Sequence, residues 1–80
     1  MNKENILEQV NEVFKEVLEL DDIVIGFDTN ANHIPEWDSL MHIQLVYGVE
    51  KKFNIRFTAK EIGNYKNVGE MCDGILLKLK

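Results

Sequence analysis

Apolar residues recur at helical spacing three times along this chain, and no stretch of useful length alternates apolar with polar. Ile6, Val10, Val13, Val17 and Leu20 follow one another at four- and three-residue steps, with Leu7, Phe14 and Leu18 widening the stripe. This predicts an amphipathic first helix over roughly residues 3–19, with its acids on the outer face. Leu40, Ile43, Val46, Tyr47, Val49 and Phe53, with Leu45 beside them, supply the apolar face of a second helix. Val68, Met71, Cys72, Ile75, Leu76 and Leu79 supply that of a last one. Ile23 to Phe27 and Ile55 to Phe57 are both too short to argue for strands.

Boundary residues agree with the periodicity. Asp38 is a good N-cap for the second helix, which should run to about Phe53. Thr58-Ala59-Lys60-Glu61 has capping-box spacing and predicts a short helix up to about Tyr65. Asn67-Val68-Gly69-Glu70 is a similar cap before the last helix. Gly48 inside the second helix costs ~1 kcal/mol against alanine, which marks a close helix contact. Between the first two helices lies a loop of about fifteen residues with Gly26, Asn30, Asn32 and the only proline, Pro35. Such a loop is long for a small domain, and Ile23, Ile25, Phe27 and Ile34 are placed to hold it down. The expectation is an all-α fold: a single domain over residues 1–80, built as a small antiparallel bundle of three main helices plus one short helix.

Composition limits what such a bundle can do. Eighty residues build one modest core, too little for a substrate cleft with a rigid catalytic shell. Cys72 is the only cysteine, so the core stands without disulfides and a reducing, cytoplasmic setting is expected. No apolar run approaches the ~20 residues of a membrane span, and the N-terminal residues are too charged for a secretory signal. The net charge of −5 argues against nucleic acid. It is concentrated in residues 1–28, where eight acids face Lys3 and Lys15. Residues 37–53 balance Asp38 and Glu50 against Lys51 and Lys52.

At the start of that neutral second helix stands Glu36-Trp37-Asp38-Ser39-Leu40-Met41-His42-Ile43. If Asp38 caps the helix, Ser39 is its first residue and lies by the free N–H groups of the first turn. Negative charge is favoured there by ~0.3–1 kcal/mol when exposed, so a phosphate ester on Ser39 would sit in a favourable field. Nothing equips Ser39 to attack a substrate. His42 shares its helix face, but a group to orient His42, a substrate pocket and a Gly-x-Ser-x-Gly elbow are missing. A serine displayed but not activated reads as an attachment point. His33 and His42 form no ligand cluster at a known metal spacing, so no metal site is expected. Cys72, on the apolar stripe of the last helix, reads as a core thiol.

In its residues the chain resembles the acyl carrier proteins and the wider carrier family that includes peptidyl carriers. The likeness rests on Asp38-Ser39-Leu40 at mid-chain, the apolar spacing through Ile43, Leu45, Val46 and Val49, and Glu50-Lys51-Lys52-Phe53. Beyond these it continues through Ile55, Phe57, Glu61-Ile62 and the Val68 helix. The resemblance implies a carrier rather than an enzyme. It implies that Ser39 bears 4′-phosphopantetheine, installed from coenzyme A by a phosphopantetheinyl transferase, with acyl groups held as thioesters on the arm. It implies that Asp38 assists the transferase through a magnesium ion held with coenzyme A, and that Leu40 is a packing and recognition residue beside the arm. The second helix would be the docking surface, through Trp37, Met41, His42, Gln44 and Leu45, for a loading ligase or acyltransferase and a downstream synthase or transferase, with a Trp37 ring packed against the loop as the equal alternative to partner contact. The chain is expected to be a monomer. An aminoacyl or peptidyl carrier, and a non-covalent helical interaction module, are the competing readings.

Departures from the family pattern narrow the expectation. Carriers of fatty acid synthesis usually have acids two and five positions after the serine, where this chain has Met41 and Gln44. Their acidic run before the helix-ending phenylalanine is here Glu50-Lys51-Lys52, and Arg56 follows. Surface charges steer docking and exclude wrong partners, so this face should suit basic-patched synthases poorly. A specialised pathway is expected instead: polyketide, lipopeptide or envelope modification. Phe57 and Tyr65 stand where the family often has smaller aliphatics lining an acyl pocket, which implies a short or polar cargo.

Overall fold

A computed structural model describes residues 2–79, so Met1 and Lys80, the ends of the expected domain, lie outside the described residues. The elements are α1 (Lys3–Leu18), a 3-10 turn (Ala31–His33), α2 (Ser39–Phe53), α3 (Ala59–Asn64) and α4 (Val68–Leu79). The fold is all-α, with no strand among the described residues. No described helix is long and apolar enough to cross a membrane.

Local chemistry sets each boundary. The Asn5 amide donates to the Asn2 side chain at 2.8 Å to start α1. Glu19 and Asn54 end α1 and α2 in the left-handed conformation, with φ of 55° and 56°, and their amides donate to the carbonyls of Lys15 and Glu50. At α3 the capping box forms as expected. The Glu61 amide donates to the Thr58 hydroxyl, and the Thr58 amide donates to the Glu61 carboxylate at 2.7 Å. Asn67 accepts from the Glu70 amide at 2.9 Å before α4.

The core forms where α1 packs on α2 and α4. Ile6, Val10 and Phe14 of α1 meet Leu45 and Val49 of α2 and Val68, Met71, Cys72 and Ile75 of α4, all without exposed surface. Burying each of the larger side chains contributes about 1.5–3 kcal/mol. Gly48 is the close contact that the sequence implied: a Cβ there would lie 2.8 Å from Val13 Cγ1 and 3.6 Å from Val17 Cγ2. Burial also pushes the Cys72 thiol up to about 11, so it stays protonated and inert at neutral pH.

Two expectations change. First, the buried face of α2 is Leu45, Val46, Val49 and Phe53, while Leu40, Ile43 and Tyr47 are 60–65% exposed. At the ~100° per residue of an α-helix, those three residues lie roughly 140° around from the buried set. The helix carries two apolar stripes, and α1 covers only one. Second, the connection from α1 to α2 holds a 3-10 turn and is tied down by polar groups as well as by Ile25 and Ile34. The Asn11 side chain accepts from the Ile25 amide at 2.8 Å. The first amides of α4, Val68 and Gly69, donate to the Thr29 and Phe27 carbonyls at 2.8 and 2.7 Å. A Cβ at Gly69 would lie 2.8 Å from that Phe27 oxygen, so the loop and α4 can meet only because the residue is glycine.

Candidate functional site

The end of the long loop aims the start of α2. Ile34 and Trp37 are buried, and the Trp37 amide donates to the Ile34 carbonyl at 3.0 Å. Trp37 stands edge-on to Phe14, with ring centroids 5.0 Å apart at 86°. This anchors the residue just before Asp38. The Asp38 carboxylate then accepts from the Met41 amide at 2.9 Å and caps the helix. Ser39 follows as the first helical residue, exposed to solvent.

His42 locks this arrangement to α3. The Trp37 indole N–H donates to His42 Nδ1 at 3.2 Å, and His42 Nε2 lies 3.0 Å from the Ile62 carbonyl oxygen. The indole is a donor only, so Nδ1 accepts; the neutral ring carries its proton on Nε2 and donates it to Ile62. The two rings also stack at 5.9 Å and 26°. With both nitrogens committed, His42 is not a base for the Ser39 hydroxyl. The chemistry needed for a nucleophilic serine is therefore absent among the described residues at this point.

The structure corrects part of the expected docking set. Leu45 has no exposed surface and Trp37 is buried, so neither can present a side chain to a partner. Both face inward because the stripe turned to α1 begins at the loop's end and continues through Leu45. His42 is half-buried and held by hydrogen bonds, whereas Met41 is half-buried and Gln44 exposed. His33 accepts from the Asn30 amide as part of the cap on the 3-10 turn.

Ser39 opens on a cleft of about 370 Å³ lined by Ala31, Trp37, Asp38, His42, Tyr65 and Lys66. Lys66 and Ala31 carried no linear signal, because the α3–α4 connection and the 3-10 turn reach Ser39 only in the folded chain. Behind the cleft-lining Tyr65, Phe57 is buried and stands edge-on to it, with centroids 5.7 Å apart. The arrangement fits a phosphodiester on Ser39. The hydroxyl reaches solvent, Asp38 already satisfies the Met41 amide, and the remaining first-turn amides favour an anion. An open cleft beside it gives a linear group room to lie against the protein.

A family described as the phosphopantetheine attachment site matches residues 8–75 of the chain. A solution structure of a holo acyl carrier protein from Geobacter metallireducens is similar, with a TM-score of 0.86 and 36% sequence identity. The likeness covers 92% of this chain and 85% of that one. No curated protein sequence matches the chain.

Proposed function

Because the chain belongs to the acyl carrier proteins of the phosphopantetheine-attachment family, we propose that Ser39 is the residue bearing its 4′-phosphopantetheine. The observation that carries this reading is the display of Ser39: solvent-facing, first in a capped helix, beside an open cleft and with the nearby His42 engaged by Trp37 and Ile62. When bound, the arm supplies a thiol that holds an acyl group as a thioester on a long tether, which raises the cargo's effective concentration at each partner. The protein's own part is positional. Asp38 fixes the first turn through the Met41 amide, and its second carboxylate oxygen is the one that would meet a magnesium ion brought with coenzyme A. Leu40, 65% exposed beside Ser39, offers the transferase an apolar contact.

The pathway served is a specialised one rather than central fatty acid synthesis. Support comes from the missing acids at Met41 and Gln44 and from Lys51, Lys52 and Arg56 at the far end of α2. A short or polar cargo is supported by the Phe57–Tyr65 pair, which fills space that a long acyl chain would need. The test is intact mass after incubation with coenzyme A, magnesium and a broad-specificity phosphopantetheinyl transferase, with Ser39→Ala alongside. One phosphopantetheine gained, and none on the variant, is the expected result. A gain that survives Ser39→Ala moves the attachment elsewhere, and no gain by a folded chain with any of several transferases favours a non-covalent interaction module.

A further inference from the structure

The second apolar stripe of α2 has no partner among the described residues. Leu40, Ile43 and Tyr47 are 65%, 60% and 60% exposed, at the three- and four-residue steps of one helix face. Isolated apolar side chains at a surface are ordinary, but three on one face, rimmed by polar groups, mark a contact surface. The stripe starts next to Ser39, and Gln44, Glu50 and Lys51 complete it.

Its far end is basic. Lys51 Nζ lies 5.3 Å from the centre of the Tyr47 ring. Lys51 and Arg56 flank a recess of about 310 Å³ that is also lined by Tyr47, Glu50, Asn54 and Ile55. Glu50 in that recess accepts from the Phe57 amide at 2.8 Å, which holds its carboxylate toward Phe57 while its charge offsets one of the two cations. The ion pairs among the described residues join Lys3 to Asp73 and Lys78 to Glu61, leaving Lys51 and Arg56 without one. Two cations against one carboxylate thus stand at the end of an apolar strip, a local excess of positive charge on a chain whose net charge is −5.

The geometry points to a docking strip for an enzyme whose contact surface is apolar and edged with carboxylates, seated along Leu40, Ile43 and Tyr47 with its acids toward Lys51 and Arg56. This rests on the carrier reading above and adds the charge of the partner. A second copy of the chain fits less well. Three side chains fall short of the ~800 Å² per partner that a stable dimer buries, and a copy laid on the strip would cover Ser39.

The test uses the full holo chain with two carrier-dependent acyltransferases, one with its docking edge rimmed by Asp and Glu, the other by Lys and Arg. Loading rates are compared at low and high salt for wild type, Lys51→Glu/Arg56→Glu and Ile43→Ser/Tyr47→Ser. The acid-rimmed enzyme should load wild type roughly tenfold better at low salt, and the advantage should shrink as salt rises. Lys51→Glu/Arg56→Glu should invert the preference, and Ile43→Ser/Tyr47→Ser should slow both enzymes at unchanged melting temperature. A preference for the basic-rimmed enzyme, or indifference to charge reversal, overturns the proposal. So does self-association by sedimentation, or binding to anionic phospholipid vesicles, that Ile43→Ser/Tyr47→Ser abolishes. Amide shifts on α2 when the apo chain is titrated with the acid-rimmed enzyme read docking without the arm. Failure of arm attachment and failure of docking are thereby seen separately.

Discussion

Replacing His42 by leucine separates a structural role from a docking role. In the native fold its ring takes the Trp37 indole N–H at 3.2 Å and donates to the Ile62 carbonyl at 3.0 Å. Leucine has similar bulk and neither polar atom. The indole, with only 8% of Trp37 exposed, keeps a donor that water reaches poorly, and such an orphan costs about 1–3 kcal/mol. Ile62 is half-buried, so its carbonyl recovers water and adds about 0.5–1 kcal/mol. The sum to expect is about 1.5–4 kcal/mol, centred at ~3 kcal/mol. At ~4–8 °C per kcal/mol for a domain of this size, the central value lowers the melting temperature by roughly 12–24 °C. Guanidinium and thermal unfolding followed by far-UV circular dichroism measure this directly. A cycle with Trp37→Phe, which removes the donor, should show coupling of about 1 kcal/mol. Stability within ~0.5 kcal/mol of wild type, or strict additivity with Trp37→Phe, would refute the reasoning. Unchanged stability combined with slower arm attachment at Ser39 would instead return His42 to the docking surface.

Three other outcomes follow from the same contacts. Gly48→Ala gains up to ~1 kcal/mol of helix propensity but drives a methyl to 2.8 Å from Val13, a residue stiff at χ1, so a net loss of about 1 kcal/mol is expected; a stabilised variant would show that α1 and α2 separate freely. Cys72, with no exposed surface and its thiol pushed up to about 11, should react with iodoacetamide at neutral pH only as fast as the chain opens, so labelling should accelerate with denaturant in step with unfolding; fast labelling of native protein contradicts its burial. Glu61 is held below its ordinary value of 4.5, first by the Thr58 amide and then by Lys78. Its contribution is therefore present above pH 4.5 and lost as pH falls through the lower folded value, so Glu61→Gln should flatten the acid limb of the stability curve; an unchanged limb means the pair contributes nothing.

The linear sequence was enough for the helices, their caps and the residue on display. Periodicity and capping chemistry act over three or four neighbours, so Asp38, Thr58 and Asn67 could be assigned before any folding was considered, and each does cap its helix. Ser39 stood out for the same reason: its setting is made by residues adjacent to it. What only the tertiary structure decided is which side of α2 faces inward. The helix carries apolar residues around much of its circumference, and periodicity alone merged Leu40, Ile43 and Tyr47 with Val46, Val49 and Phe53. The contact of Gly48 with Val13 and Val17 fixes the rotation, burying Leu45 and leaving the other stripe to solvent. The partners of Trp37 and His42 were hidden likewise, since Phe14 and Ile62 come from distant parts of the chain. Sequence spacing reports which residues share a face, and only the neighbouring helix says which face is covered.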